Sequence, residues 1–217
     1  MNLKFREPFS GFSHLIGAFL SFIGFLIMIY SQVINKSCTV VSLTGAMVFC
    51  TSMILLYSAS GIYHLVNAST SIINILRKID HSMIFVLIAG TYTPICLSLL
   101  KSPLQNYMII IIWSLAIVGI FFKTFWINCP SWLSSGIYIL MGWIAIFFFK
   151  PMSSNVEASG LFLLVLGGII YTIGGIIYCL EKRNKKRTFG AHEIFHLFVI
   201  AGSIMHYIFI YKYVFML

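Results

Sequence analysis

The sequence predicts an all-α membrane protein, a bundle of seven transmembrane helices, on three observations. Of its 217 residues 60% are hydrophobic and only 9% charged, with mean hydropathy +0.99, a composition no soluble domain of this size could carry at its surface. Seven stretches approach or exceed the roughly 20 apolar residues that cross a bilayer core. The connections between them are short, which leaves no room for a separate soluble unit. The chain, 1–217, is therefore expected to be a single seven-transmembrane domain.

The spans can be taken in order. The first, 13–35, opens on Ser13 and His14; it is too long for a signal-peptide core and lacks an A-x-A cleavage site, so it is expected to be retained. Gly17 and Gly24, seven residues apart, place small residues on one face for close helix packing. The second, 39–66, carries Ser60 and His64 near its end. The third, 80–100, begins with Asp80 and His81 and contains Pro94, which is expected to kink it. The fourth and fifth, 105–123 and 132–150, are joined by a loop bracketed by Trp126 and Trp132, which read as interfacial anchors. The sixth, 159–180, repeats Gly167-Gly168 as Gly174-Gly175, again a packing face. The seventh, 191–215, carries His192, His196 and His206.

Charge sets the expected orientation. The net charge of +9 could suggest nucleic acid, but the basic residues sit between apolar runs, where membrane topology explains them and no nucleic-acid partner is needed. With the N-terminus cytoplasmic, the inside segments hold Lys4, Arg6, Arg77, Lys78, Lys123, Lys182, Arg183, Lys185, Lys186 and Arg187, ten of the fourteen Lys and Arg. The outside segments hold Lys36, Lys101, Lys150 and Lys212. That bias places the N-terminus inside and the C-terminus outside. The cluster 182–187 reads as a stop-transfer signal, with an anionic-lipid site as the competing reading. Five scattered cysteines with no C-x-x-C pair suggest neither a disulfide framework nor a thiolate cage.

This orientation gathers the polar residues at one depth. His64 lies near the cytoplasmic end of the second span with Ser60 one turn deeper. Asp80 and His81 fall in the first turn of the third, and His192 and His196 in the first two turns of the seventh. At 100° per residue, His192, His196, Val199, Ser203 and His206 form one stripe about 80° wide. A His pair at i, i+4 can ligate one ion, and His64 would add a third nitrogen. Three imidazoles with an open fourth position describe a catalytic site rather than a closed structural one, and nitrogen-rich ligation favours zinc over iron, cobalt or manganese. Asp80 would be a direct ligand or would hold the water at the metal. The plainer readings are that His14, His81 and His206 are hydrogen-bond partners between helices, that Asp80 pairs with Arg77 and Lys78, and that Ser60 bonds its own backbone. His206 lies about 15 Å along the helix from His196 and cannot share its ion.

At these residues a family resemblance emerges. Ser60-x3-His64, Asp80 and His192-x3-His196 resemble the signature shared by the hemolysin III family and the progestin and adipoQ receptors, in a superfamily that includes the alkaline ceramidases. The flanking text agrees: Glu7 through Ser13-His14, Tyr57 through His64, Asp80-His81-Ser82 followed by Ala89 through Pro94, Ala191 through His196, and His206. The bacterial inner-membrane branch is the most similar. The resemblance implies a seven-helix bundle with one zinc ion near the cytoplasmic face, held by His64, His192 and His196. It also implies that Asp80 contacts the water at the zinc and that Ser60 lines the site, which makes these two the catalytic candidates.

Activity stays open among the relatives. The ceramidases imply a zinc-dependent hydrolase of lipid amides or esters, with membrane lipids as substrates. The receptors imply a non-enzymatic, lipid-responsive regulator braced by a structural zinc. The family name records haemolysis, but a cytolysin is expected to be exported in soluble form, whereas the first span here is expected to be retained rather than cleaved. Finally, His192-Glu193-Ile194-Phe195-His196 reads literally as H-E-x-x-H, the zincin signature of intramembrane metalloproteases with Glu193 as base. The adipoQ receptors carry glutamine at that place, which counts against it.

Overall fold

A computed structural model describes residues 5–180 and 189–216. The basic cluster at 182–187 and Lys4 lie outside the described residues. Seven helices are long and apolar enough to cross a membrane: α1 (Pro8–Ile34), α2 (Val40–Leu65), α3 (Thr70–Leu99), α4 (Leu104–Phe125), α5 (Ser131–Ser153), α6 (Ala158–Leu180) and α7 (Ala191–Tyr213). Among the described residues there is no strand. The chain is a multi-pass membrane protein.

Local chemistry explains where the helices begin. α1 starts on Pro8, whose fixed φ and missing N–H suit the first helical position. α2 starts from Thr39, whose side chain accepts from the Ser42 N–H while the Ser42 hydroxyl accepts from the Thr39 N–H. α3 begins at Thr70, well before the expected span start at 80. Asn74, Arg77, Lys78 and Asp80 lower the hydropathy of that stretch, but helical hydrogen bonding does not require an apolar sequence. Asp80 consequently sits in the third turn of α3, not the first. The helix runs through Pro94 without interruption to Leu99.

α5 departs most from a plain apolar span. Its α-helical part, Ser131–Gly142, gives way to a 3-10 stretch, Trp143–Phe148, and closes with Phe149–Ser153. A break at membrane depth leaves backbone groups that lipid cannot satisfy. The Tyr92 hydroxyl of α3 answers them, donating to the Gly142 carbonyl and accepting from the Ala145 N–H at 2.8 Å.

α3 is the centre of the bundle: 67% of its most apolar window is buried, against 22–44% for the other six helices. It packs on α2, α4, α5 and α7, while α1 packs on α2 and α7, and α6 on α5 and α7. The core is filled by Met28, Phe49, Phe85, Ile112, Phe148 and Phe209, all buried. Phe19, Leu26, Ile110, Val118 and Phe121 point outward, as lipid-facing residues should. Small residues set the closest approaches. A side chain at Gly11 would run into Leu65 of α2, and one at Gly174 into Phe198 of α7, so these glycines serve packing. Lys123, the last residue of the expected fourth span and counted among the cytoplasmic-side cations, lies in the last turn of α4 and is turned inward with 1% exposure.

Candidate metal centre

Four helices and the N-terminal arm build one polar corner. The last turns of α2 supply Ser60 and His64, the third turn of α3 Asp80, the first two turns of α7 His192 and His196, and the second turn of α1 His14. Ser60, His64 and His14 are no more than 3% exposed, His196 is 2% exposed and Asp80 8%.

His64, His192 and His196 meet. One ring nitrogen from each lies within 4.8 Å of the others. The Nε2 atoms of His64 and His192 stand 3.3 Å apart, and the ring centroids of the three are separated by 4.6–4.9 Å. His14 stacks on His196 with centroids 3.8 Å apart. Asp80 and Ser60 line the same cavity, with the Ser60 hydroxyl directed at the Asp80 carboxyl.

The arm before α1 contributes a carboxylate that sequence reasoning treated only as flanking text. Glu7 accepts a hydrogen bond from His64 Nδ1, and its own N–H donates to the His64 carbonyl at 2.9 Å, one of the carbonyls left over at the end of α2. Arg6 lies 3.5 Å from the Glu7 carboxylate and rests over the Tyr63 ring, 4.3 Å from its centroid. Burial pushes the Glu7 carboxyl up, but the hydrogen bond and charge of His64, helped by Arg6 and His192, hold it below the ordinary carboxylate value. Because Glu7 acts from outside any helix, no helical periodicity could have revealed it.

The donor set fits a metal ion. A carboxylate only accepts, so His64 Nδ1 carries a proton, and in that tautomer Nε2 keeps a lone pair that points at His192 Nε2 3.3 Å away. A carboxylate behind a histidine in this way fixes the tautomer and ring of metal-ligating imidazoles. Two nitrogens bound to one tetrahedral zinc at about 2.0–2.1 Å stand about 3.3–3.4 Å apart, which the His64–His192 separation matches. His196 Nδ1 has no hydrogen-bond partner in the protein.

The other polar residues of α7 are already committed. Glu193 accepts from the Gly190 N–H at 2.7 Å and from the Ser10 hydroxyl at 3.4 Å. It caps its own helix and ties α7 to α1, which speaks against a general-base role in an H-E-x-x-H site. His206 donates from Nε2 to the Leu164 carbonyl at 3.2 Å, far from the other histidines.

From the histidines the cavity, about 150 Å³, continues down the bundle between α3, α5, α6 and α7 to His206. Its walls beyond the polar corner are mostly apolar, among them Leu87, Ile88, Ile139, Trp143 and Val199, with Gly142 at the break in α5. Fourteen residues of α7 separate His192 from His206, about 20 Å of helix, comparable to the depth of one bilayer leaflet.

Comparison with known proteins agrees with this architecture. The family model described as haemolysin-III related matches residues 3–207. A hemolysin-3 homolog of Bacillus subtilis (strain 168) is 38% identical over 199 residues, covering 91% of this chain and 89% of the relative. Hemolysin-3 of Bacillus cereus is 38% identical over 209 residues, covering 96% and 92%. The human monocyte to macrophage differentiation factor is 28% identical over 167 residues, covering 74% and 66%.

Proposed function

This chain belongs to the haemolysin-III related family, and from that premise and the histidine geometry we propose that it is a zinc-dependent hydrolase of lipid amides or esters. It works in the bacterial inner membrane, with the histidine corner near the cytoplasmic face and the N-terminus inside. The observation that carries the reading is the convergence of three imidazole nitrogens beside a carboxylate, at the head of an apolar cavity.

His64, His192 and His196 would hold one zinc ion. When bound, zinc supplies Lewis acidity and lowers the pKa of water far enough, towards about 7, for it to act as a nucleophile at neutral pH. Glu7 keeps His64 in the ligating tautomer. Asp80, facing the cavity, orients water and takes up its proton, and Ser60 holds the Asp80 carboxyl in place. The apolar walls receive an acyl chain and exclude bulk water, so a membrane lipid suits the site better than a soluble substrate. Glu193, held by Gly190 and Ser10, has no part in the chemistry.

The test uses detergent-purified protein whose metal is first counted by mass spectrometry. The expected result is about one zinc per chain and release of fatty acid from a lipid amide or ester. Asp80→Asn should abolish release while keeping the zinc, and Glu193→Gln should leave release largely intact. Full zinc loading with no turnover of any lipid would replace this reading with a lipid-responsive protein braced by its metal. Folded protein with no stoichiometric metal would remove both.

A further inference from the structure

A lysine near the end of a membrane helix ordinarily extends its stem to the headgroup level. One kept inside the bundle is paired with an anion or marks a binding site. Lys123 is 1% exposed and turned inward, where its ammonium donates to the Ser134 hydroxyl and, at 3.2 Å, to the Cys129 sulfur. Among the described residues the ion pairs involve only Glu7, with Arg6 and His64, so no carboxylate answers Lys123. Its two partners are a hydroxyl and a thiol, and among the described residues no carboxylate lies within ion-pair distance of it.

The neighbours of this lysine share its bias. Ser134 and Ser135, in the first turn of α5, line the cavity together with His81 of α3. His81 Nδ1 is buried without a hydrogen-bond partner. The start of α5 adds the positive end of its helix dipole, and Arg77, one turn before His81, reaches Asn128 at 3.0 Å on the outer rim. Among the described residues the one carboxylate on the cavity wall is Asp80, which faces Ser60.

We propose that this corner, beside the histidines but distinct from them, is the pocket for the phosphate headgroup of a lipid. The phosphate oxygens sit against Ser134, Ser135 and His81, and Lys123 supplies the opposite charge from directly behind Ser134. Two hydroxyls and an imidazole on the cavity wall offer one donor to each of the three terminal oxygens of a phosphate, and the ammonium behind Ser134 offsets its charge. The chain of the same lipid runs into the apolar part of the cavity. The assignment rests on the cavity being a lipid site, as proposed above, and it names the class of lipid.

The experiment measures binding to the intact, detergent-purified protein by native mass spectrometry. Lysophosphatidic acid is compared with a monoacylglycerol of the same chain and with inorganic phosphate alone. The phosphate-bearing lipid should bind tighter than the monoacylglycerol by about tenfold or more. Lys123→Gln should erase that preference while leaving the metal content unchanged, and Lys123→Arg should keep most of it. Should Lys123→Gln fail to fold, His81→Gln and Ser135→Ala carry the test, each weakening only the phosphate-bearing ligand. Equal binding of the two lipids, or undiminished preference in every variant, overturns the pocket. Inorganic phosphate binding as tightly as the lipid overturns the lipid assignment. Metal content is read on the same samples, so loss of the zinc reading is separable from loss of this one.

Discussion

Two buried polar regions on α7 stand about 15 Å apart along one helix face, and they differ in how their hydrogen bonds close. Around His206 the groups pair off. Its Nε2 meets the Leu164 carbonyl, and the Ser203 hydroxyl lies between Tyr57 at 2.6 Å and Tyr171 at 2.7 Å. Around His196 they do not. Two Nε2 atoms face one another at 3.3 Å, while His196 Nδ1 and both nitrogens of His14 make no hydrogen bond. Burial of an imidazole in a membrane helix is common to both regions and decides nothing. The presence of lone pairs that the protein itself leaves unanswered separates a site that can take an ion from a structural clasp.

Removing one histidine from each region breaks the comparison most sharply. His196→Ala and His64→Ala should reduce zinc from about one per chain to near none, because two imidazoles hold the ion far less well than three. His206→Ala should keep the zinc and lower the melting temperature instead, since it removes the partner of Leu164 and opens a void against Gly167. Zinc retained in His196→Ala, or lost in His206→Ala, would reverse the roles assigned to the two regions.

Glu7 sharpens the contrast by one step. Glu7→Gln keeps the shape but withdraws the charge behind His64, and loss of such a partner typically lowers metal affinity about 10–100-fold. The sign with pH follows from its depressed value. The stabilising contact is present at neutral pH and fades as pH falls through the folded-state value of Glu7. Competition with a chelator, run on wild type and Glu7→Gln at pH 7, reads the affinity directly. Equal affinities would confine Glu7 to tethering the arm.

How much of this was legible in the sequence depends on whether a helix carried the signal. His192 and His196 share a stripe because the 3.6-residue period puts them there, and His64 falls at their depth because hydropathy bounds α2. Asp80 was found as a residue but misplaced along α3, since a hydropathy window ends at the first charges while the helix continues through them to Thr70. Glu7 lay in an arm with no period at all. Lys123 ends the expected fourth span and counts towards the charge bias, because a sequence shows that a lysine is near a span end, not whether it turns outward or inward. The break in α5 was invisible for a related reason: Trp143 to Phe148 is as apolar as its neighbours, and the group that stabilises the break, Tyr92, is about 50 positions away.

Within the closed region, Ser203→Ala should strand the Tyr171 hydroxyl and leave Tyr57 only its longer bond, 3.4 Å, to the Val199 carbonyl. Leaving buried hydroxyls unanswered costs about 1–3 kcal/mol, visible as a lower melting temperature at unchanged zinc content. A drop in zinc equal to that of His196→Ala would mean that the two regions act as one network.

Two glycines give the finest test. At Gly167 an added Cβ would fall inside contact with the His206 ring, so Gly167→Ala should unseat that imidazole and destabilise by about 1–3 kcal/mol, the usual range for overpacking. At Gly136, in the helical part of α5, an added Cβ meets nothing within 4 Å. Gly136→Ala removes only the conformational freedom of glycine, and should raise stability by about 0.4–1 kcal/mol. Neither substitution touches the histidine corner, so zinc should stay at about one per chain in both. Opposite shifts in melting temperature at constant zinc would show that the glycine under His206 is kept for the ring it seats. Equal shifts would leave His206 as one more packed side chain, with nothing special in the space cut for it.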